Sequence, residues 1–256
     1  MPRFAANLGF LFPEHEFLDR FARARAAGFS AVEFATPYPY EPRRLAQALR
    51  DNGLECILMN LPMGDRARGD YGIACRPERG DEFRDGVRRA IEYARALHCP
   101  RMNCIAGVAR EGEDRAKLRD TLVENMGYAA AEFKRAGLEL LMEPLNDRDV
   151  PGFLVPRNRD VVKLLRDIGA DNMGLQFDLY HTSMMGDDPA ALFDELRPWI
   201  RHVQFADAPG RGEPGTGHVP LEKLFAHLDA RGYTGWVSAE YKPTRRTEET
   251  LSSFMT

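Results

Sequence analysis

Residues 165–178 read LRDIGADNMGLQFD: the close of a helix, a glycine at 169, then an apolar strand that ends on a single carboxylate, Asp178. The same unit recurs as RARAAGFSAVEF (23–34), LRDNGLECILMN (49–60), KRAGLELLME (134–143) and LDARGYTGWVSAE (228–240). Gly28, Gly53, Gly137, Gly169 and Gly232 close the helices, because the position after a helix often takes positive φ. A sixth version, ALHCPRMNCIAG (96–107), uses Pro100 as its stop. The pattern predicts strands at 3–9, 31–37, 54–61, 101–107, 138–144, 173–180, 200–207 and 235–241. Helical faces lie between them, such as Phe83, Val87, Ile91 and Ala94, or Leu118, Leu122, Met126 and Phe133. Eight strands alternating with helices predict an α/β fold, one (β/α)8 TIM barrel spanning 1–256 as a single domain. A doubly wound open sheet is disfavoured because no glycine-rich phosphate-binding turn follows the first strand.

Composition narrows the class of function. The chain has 256 residues, 44% of them hydrophobic, and no run long enough to span a bilayer. The opening MPRFAANLGF alternates like a strand and lacks a secretory hydrophobic region, so a cytoplasmic location is expected. A formal charge of −4 supplies no global attraction to nucleic acid. Cys56, Cys75, Cys99 and Cys104 have no C-x-x-C spacing and read as buried free thiols.

Strand parity points to a chemical centre. In the last four strands Glu143, Asp178, Gln204 and Glu240 alternate with apolar neighbours and fall near the C-terminal ends. A parallel barrel gathers those ends on one face, where active sites are built. Three carboxylates and an amide oxygen form a hard ligand set suited to one divalent ion, Mg²⁺ or Mn²⁺, although Zn²⁺, Co²⁺ or Ni²⁺ could also occupy it. Without a cation, the acids would repel and at least one would retain its proton. The plainer alternative is that each acid pairs with its own arginine at the rim. His181, three residues beyond Asp178, could bond a substrate oxygen or orient a metal ligand, whereas His202 and Glu139 lie deeper and read as structural. Arg66, Arg68, Arg211 and Lys242 in exit-side loops are candidates to hold a substrate anion. Asn7 and Asn60 could line the pocket. The segment around Arg66 and Arg68 reads as a mobile lid.

PRFAANL, GFSAVEF, PYPY, LPMGDRARGDYG, EDR at 113–115, Phe177–Asp178 with His181, and WVSAEYKP together resemble the hydroxypyruvate isomerase family, within the xylose isomerase-like TIM barrels. The resemblance covers essentially the whole chain. It implies that Glu143 and Glu240 are catalytic, with Asp178 and Gln204 completing the ligands of one divalent metal. It further implies interconversion of hydroxypyruvate and tartronate semialdehyde by enediolate proton transfer. A 2-oxo-tetronate isomerase, a sugar epimerase or an inositol-pathway dehydratase could use the same ligands. An endonuclease IV-like DNA repair enzyme shares the architecture, but its multinuclear zinc site calls for many strand-end histidines, and of the six in this chain four lie in or near helices, loops or deeper strand positions. The implied partner is a small hydroxy-keto acid, with neither nucleic acid nor membrane called for, and a homo-oligomer is compatible with it.

Overall fold

In a computed structural model, which describes residues 2–255, β1 (Arg3–Asn7), β2 (Ala31–Phe34), β3 (Glu55–Asn60), β4 (Arg101–Cys104), β5 (Glu139–Met142), β6 (Met173–Asp178), β7 (Ile200–Phe205) and β8 (Trp236–Ala239) form a closed barrel in sequence order. All neighbours are parallel, and β8 pairs back onto β1. The connecting helices are α1 (Arg20–Ala26), α2 (Pro42–Asn52), α3 (Gly80–Leu97), α4 (Arg115–Arg135), α5 (Asn158–Ile168), α6 (Leu179–Met184), α7 (Pro189–Leu196) and α8 (Leu221–Ala230); the short α9 (Thr247–Thr250) follows the last strand. No helix among the described residues is long and apolar enough to cross a membrane.

Gly53 and Gly169 follow α2 and α5 directly in the left-handed conformation, at φ 58° and 71°. The unit without a glycine solves the same problem differently. His98, not Pro100, ends α3 at φ 52°, with its N–H returned to Arg95. The strands are shorter than the sequence pattern predicts, because the backbone leaves the ladder as each βα loop begins. Asp178 is therefore the last residue of β6 and Gln204 the last but one of β7, while Glu143 and Glu240 stand one residue beyond β5 and β8.

Side-chain direction follows the period of two. Phe177 and Phe205 turn outward, against Phe193 of α7 (6.1 Å between ring centres) and Phe225 of α8 (4.9 Å). Burying each such ring stabilises the fold by about 1.5–3 kcal/mol. Their neighbours Gln176, Asp178, His202 and Gln204 are buried on the other face, inside the barrel. Asp178 and Gln204 are register partners across β6 and β7, and Gln204 lies opposite Ser238 on β8. All four cysteines are free and buried. Glu139 sits at the entry of β5, 3.3 Å from Arg101 and 3.7 Å from Arg201, a structural cluster.

Candidate active site

The loop after β7 is built around one carboxylate. Asp207 accepts the backbone N–H groups of Ala208, Gly215, Gly217 and Val219. Gly217 allows the close turn, since a Cβ there would lie 2.0 Å from the Ala208 carbonyl oxygen. Arg211, at φ 56°, is carried over the barrel mouth, and its carbonyl accepts the Lys242 N–H at 2.7 Å. The guanidinium lies between the rings of Phe10 (4.7 Å) and Tyr180 (4.9 Å), donates to Glu240 Oε2 at 2.9 Å and approaches Asp178 Oδ2 at 3.7 Å.

Below Arg211, ligand atoms of Glu143, Asp178 and His181 lie within 4.8 Å of one another. Glu143 Oε2 accepts from Asn103 Nδ2 at 3.0 Å. Asp178 Oδ1 caps α6 by accepting the Tyr180 N–H at 2.7 Å, while its Oδ2 is buried without a hydrogen-bond partner among the described residues. Glu240 Oε1 accepts from Asn7 Nδ2 at 3.0 Å. Gln204 reaches down into the barrel: its Oε1 accepts from Gln176 (2.5 Å), and its Nε2 donates to Glu33 (2.6 Å).

Burial pushes the Glu143 carboxyl well above its ordinary range, and the charges of Glu240 and Asp178 push it further. Burial raises Glu240 to about 8 against the pull of Arg211, and raises Asp178 as well. Ionised together, the three buried acids would carry more negative charge than one guanidinium offsets. The unpartnered Asp178 oxygen and the all-oxygen donors fit a hard divalent cation. His181 belongs to the tight trio but plays a different part. Its Nδ1 accepts the Asn146 N–H (3.1 Å) and faces Asn146 Nδ2 (2.7 Å), so the neutral ring carries its proton on Nε2. Burial, with Arg211 nearby, holds the ring neutral by lowering its pKa well below the ordinary value. Nε2–H is therefore a donor, 3.7 Å from Asp178 and 3.9 Å from Glu143, and not a ligand atom.

A cavity of about 500 Å³ opens above these groups, with Glu143, His181, Arg211, Glu240, Arg66 and Lys242 in its wall. Asn60 also reaches it, and Arg66 stacks on Tyr71 at 3.7 Å. Arg68, two residues away, lines a separate depression with Asp70, Arg76 and Arg79, whose wall includes none of Glu143, Asp178, Gln204 and Glu240. A larger cavity of about 600 Å³, walled by Leu49, Leu97 and Trp236, contains none of the candidate residues. Sequence reasoning missed Asn103, Asn146, Gln176 and above all Glu33. The alternation in SAVEF places Glu33 inward between Val32 and Phe34, and that was its available signal. Burial would raise Glu33, but His202, Gln204 and Asn7 hold its carboxyl below the usual range.

A family model described as the xylose isomerase-like TIM barrel matches residues 21–255. The chain belongs to this family. Among curated members, it is 45% identical to the hydroxypyruvate isomerase of Escherichia coli K12, over 98% of this chain and 97% of that one. It is 41% identical to a 2-oxo-tetronate isomerase of Cupriavidus necator, covering 98% and 96%. A Brucella melitensis crystal structure titled as an AP endonuclease of family 2 superposes with a TM-score of 0.96 at 40% identity, covering 99% and 98%. This xylose isomerase-like barrel thus aligns over 98% of its length with isomerases of small hydroxy-keto acids.

Proposed function

We propose that the chain isomerises a small hydroxy-keto acid, hydroxypyruvate to tartronate semialdehyde, by proton transfer between Glu143 and Glu240. The observation that carries the mechanism is the facing of these two buried carboxylates into one cavity beside the unpartnered Asp178 oxygen. Glu143, Asp178, Gln204 and Glu240 would hold one divalent cation, Mg²⁺ or Mn²⁺. When bound, such an ion supplies Lewis-acid stabilisation of the negative charge that builds up as the carbon acid ionises.

The chain's own groups account for the proton movements. C3 of hydroxypyruvate must lose a proton, C2 must gain one, and a hydroxyl proton must pass from O3 to O2. One glutamate takes the carbon proton while the other serves the neighbouring carbon and oxygen, and the roles exchange in the reverse direction. Groups positioned in this way contribute about 10²–10⁴-fold each. His181 Nε2–H is oriented to donate to a substrate oxygen. Lys242 and Arg66 at the rim, with Arg211 deeper, supply cationic partners for the substrate carboxylate. A four-carbon 2-oxo acid is the nearest alternative substrate, favoured by the 41% identity to a 2-oxo-tetronate isomerase. The histidines favour an isomerase over a DNA-cutting centre: His181 is committed as a donor, and His202 is bound to Glu33 at 2.6 Å.

The test is turnover of hydroxypyruvate, 2-oxotetronates and free ketoses by the purified protein, before and after chelation. Activity on the keto acids, lost on chelation and restored by Mg²⁺ or Mn²⁺, is expected. Full turnover by protein shown by elemental analysis to be metal-free would overturn the cation assignment, and inertness toward every keto acid would overturn the substrate class.

A further inference from the structure

Glu33 is 1% exposed and lies beneath the acids already described. Its Oε2 is 2.6 Å from His202 Nε2, and its Oε1 accepts from Gln204 Nε2 at 2.6 Å and Asn7 Nδ2 at 2.8 Å. Both amides it touches belong to the candidate site. Glu33 Oε1 accepts from the amide nitrogen of both side chains, so each amide turns its NH₂ group toward Glu33. For Gln204 this leaves Oε1, the oxygen, as the atom directed elsewhere, and that atom already accepts from Gln176. An amide turned the other way would present NH₂ hydrogens, which cannot ligate a cation, where the oxygen now lies. Asn7 is fixed from both ends: its Oδ1 accepts the Gly9 N–H at 2.9 Å, and its NH₂ bridges Glu33 and Glu240 Oε1.

We propose that Glu33 is a positioning residue that sets the amide polarity of Gln204 and Asn7, so that Gln204 offers oxygen to the cation and Glu240 keeps its orientation. The proposal rests on the cation site and reaction given above and adds a residue to them. Glu33 touches no reacting atom; its influence passes through the two amides. Apolar packing would fill the same space, but it would leave both amides free to reverse. Partners one step removed from a metal typically govern about 10–100-fold in affinity or activity.

The experiment uses Glu33→Gln, which keeps the shape and lets the position donate. Mn²⁺ affinity is measured by calorimetry on the substrate-free protein, together with kcat and KM for hydroxypyruvate and the melting curve. The expected result is Mn²⁺ binding weaker by about 10–100-fold, kcat lower by a similar factor and KM within about threefold. Adding Glu33→Gln to Gln204→Ala should then cost much less than Glu33→Gln alone, because the amide it orients is gone. A folded Glu33→Gln protein with Mn²⁺ affinity and kcat within twofold of wild type overturns the proposal. Full additivity with Gln204→Ala overturns it as well. Should Glu33→Gln fail to fold, Asn7→Ala, which cuts the link to Glu240 and leaves Glu33 with His202 and Gln204, must lower kcat at least tenfold with KM little changed. A smaller effect overturns the proposal. Because Mn²⁺ affinity is read without substrate, a wild-type protein that binds Mn²⁺ but ignores hydroxypyruvate refutes the substrate assignment and leaves the Glu33 test intact.

Discussion

Glu240→Gln and Glu143→Gln should have the same effect on catalysis and opposite effects on stability. Each removes a proton acceptor at nearly constant shape, so kcat should fall about 10²–10⁴-fold, or roughly 2.7–5.4 kcal/mol of barrier. The hydrogen bonds differ. Both oxygens of Glu240 accept from fixed donors, Asn7 Nδ2 at 3.0 Å and Arg211 at 2.9 Å. A glutamine there must direct its NH₂ group at one of them. Where Glu240 is ionised, above its pKa of about 8, the resulting unmade bond costs about 1–3 kcal/mol, and at about 2–4 °C per kcal/mol the metal-free variant should melt roughly 2–12 °C lower. Glu143 has one such donor, Asn103 at 3.0 Å. A glutamine at 143 can keep its oxygen toward Asn103 and place its NH₂ near the Asp178 carboxylate, which lies within 4.8 Å. It also removes an acid that burial and its neighbours already disfavour in charged form, so its melting temperature should equal or exceed wild type. Steady-state kinetics, calorimetry of the chelated proteins and metal content of each variant test the pair. Retention of more than about a tenth of wild-type kcat by either variant refutes acid–base catalysis by that residue. Equal melting losses in both refute the hydrogen-bond reasoning.

Lys242 is exposed at the cavity rim and bonds Arg211 only through its backbone; Lys242→Met should raise KM for hydroxypyruvate by about 10–100-fold, the worth of a charged hydrogen bond, with a smaller effect on kcat. A KM change under twofold would remove it as a carboxylate anchor. Burial acts to raise the Asp70 carboxyl, but hydrogen bonds from Arg79 and the Asp65 N–H hold it below its ordinary value. Its stabilisation is therefore present above the unfolded pKa of about 3.9 and lost as pH falls through the lower folded value; Asp70→Asn should cost about 1–3 kcal/mol at neutral pH, with the gap to wild type closing below pH 4 in denaturant titrations. Turnover in D₂O should place deuterium on the product carbon, since a proton held by a carboxylate can exchange with solvent. Quantitative retention of the substrate hydrogen in both directions, with a second metal beside the first, would instead indicate hydride shift.

The parts of this protein that repeat were legible, and the parts that depend on several strands at once were not. Helix, glycine and strand recur, so barrel closure and the inward direction of Asp178 and Gln204 follow from counting along one segment at a time. The length of each ladder does not, because it depends on where two neighbours diverge; Glu143 and Glu240 consequently stand just past strands that the pattern had drawn through them. The division of Arg66 from Arg68 is equally non-local. Arg66 finds Tyr71 and the acidic cavity, whereas Arg68 faces the cluster of Asp70, Arg76 and Arg79. Glu33 marks the limit most clearly. Its partners are Asn7, His202 and Gln204, 26, 169 and 171 positions away. No local pattern separates it from Glu139 or Glu55, which also alternate with apolar residues in strands but end at the solvent-exposed entry side of the barrel. What distinguishes Glu33 is depth. A carboxylate at that level must gather three donors to remain charged, and the donors within reach are the side chains that the mouth of the barrel needs held still. Strand parity announces that such a residue points inward; only closure of the barrel decides what it holds.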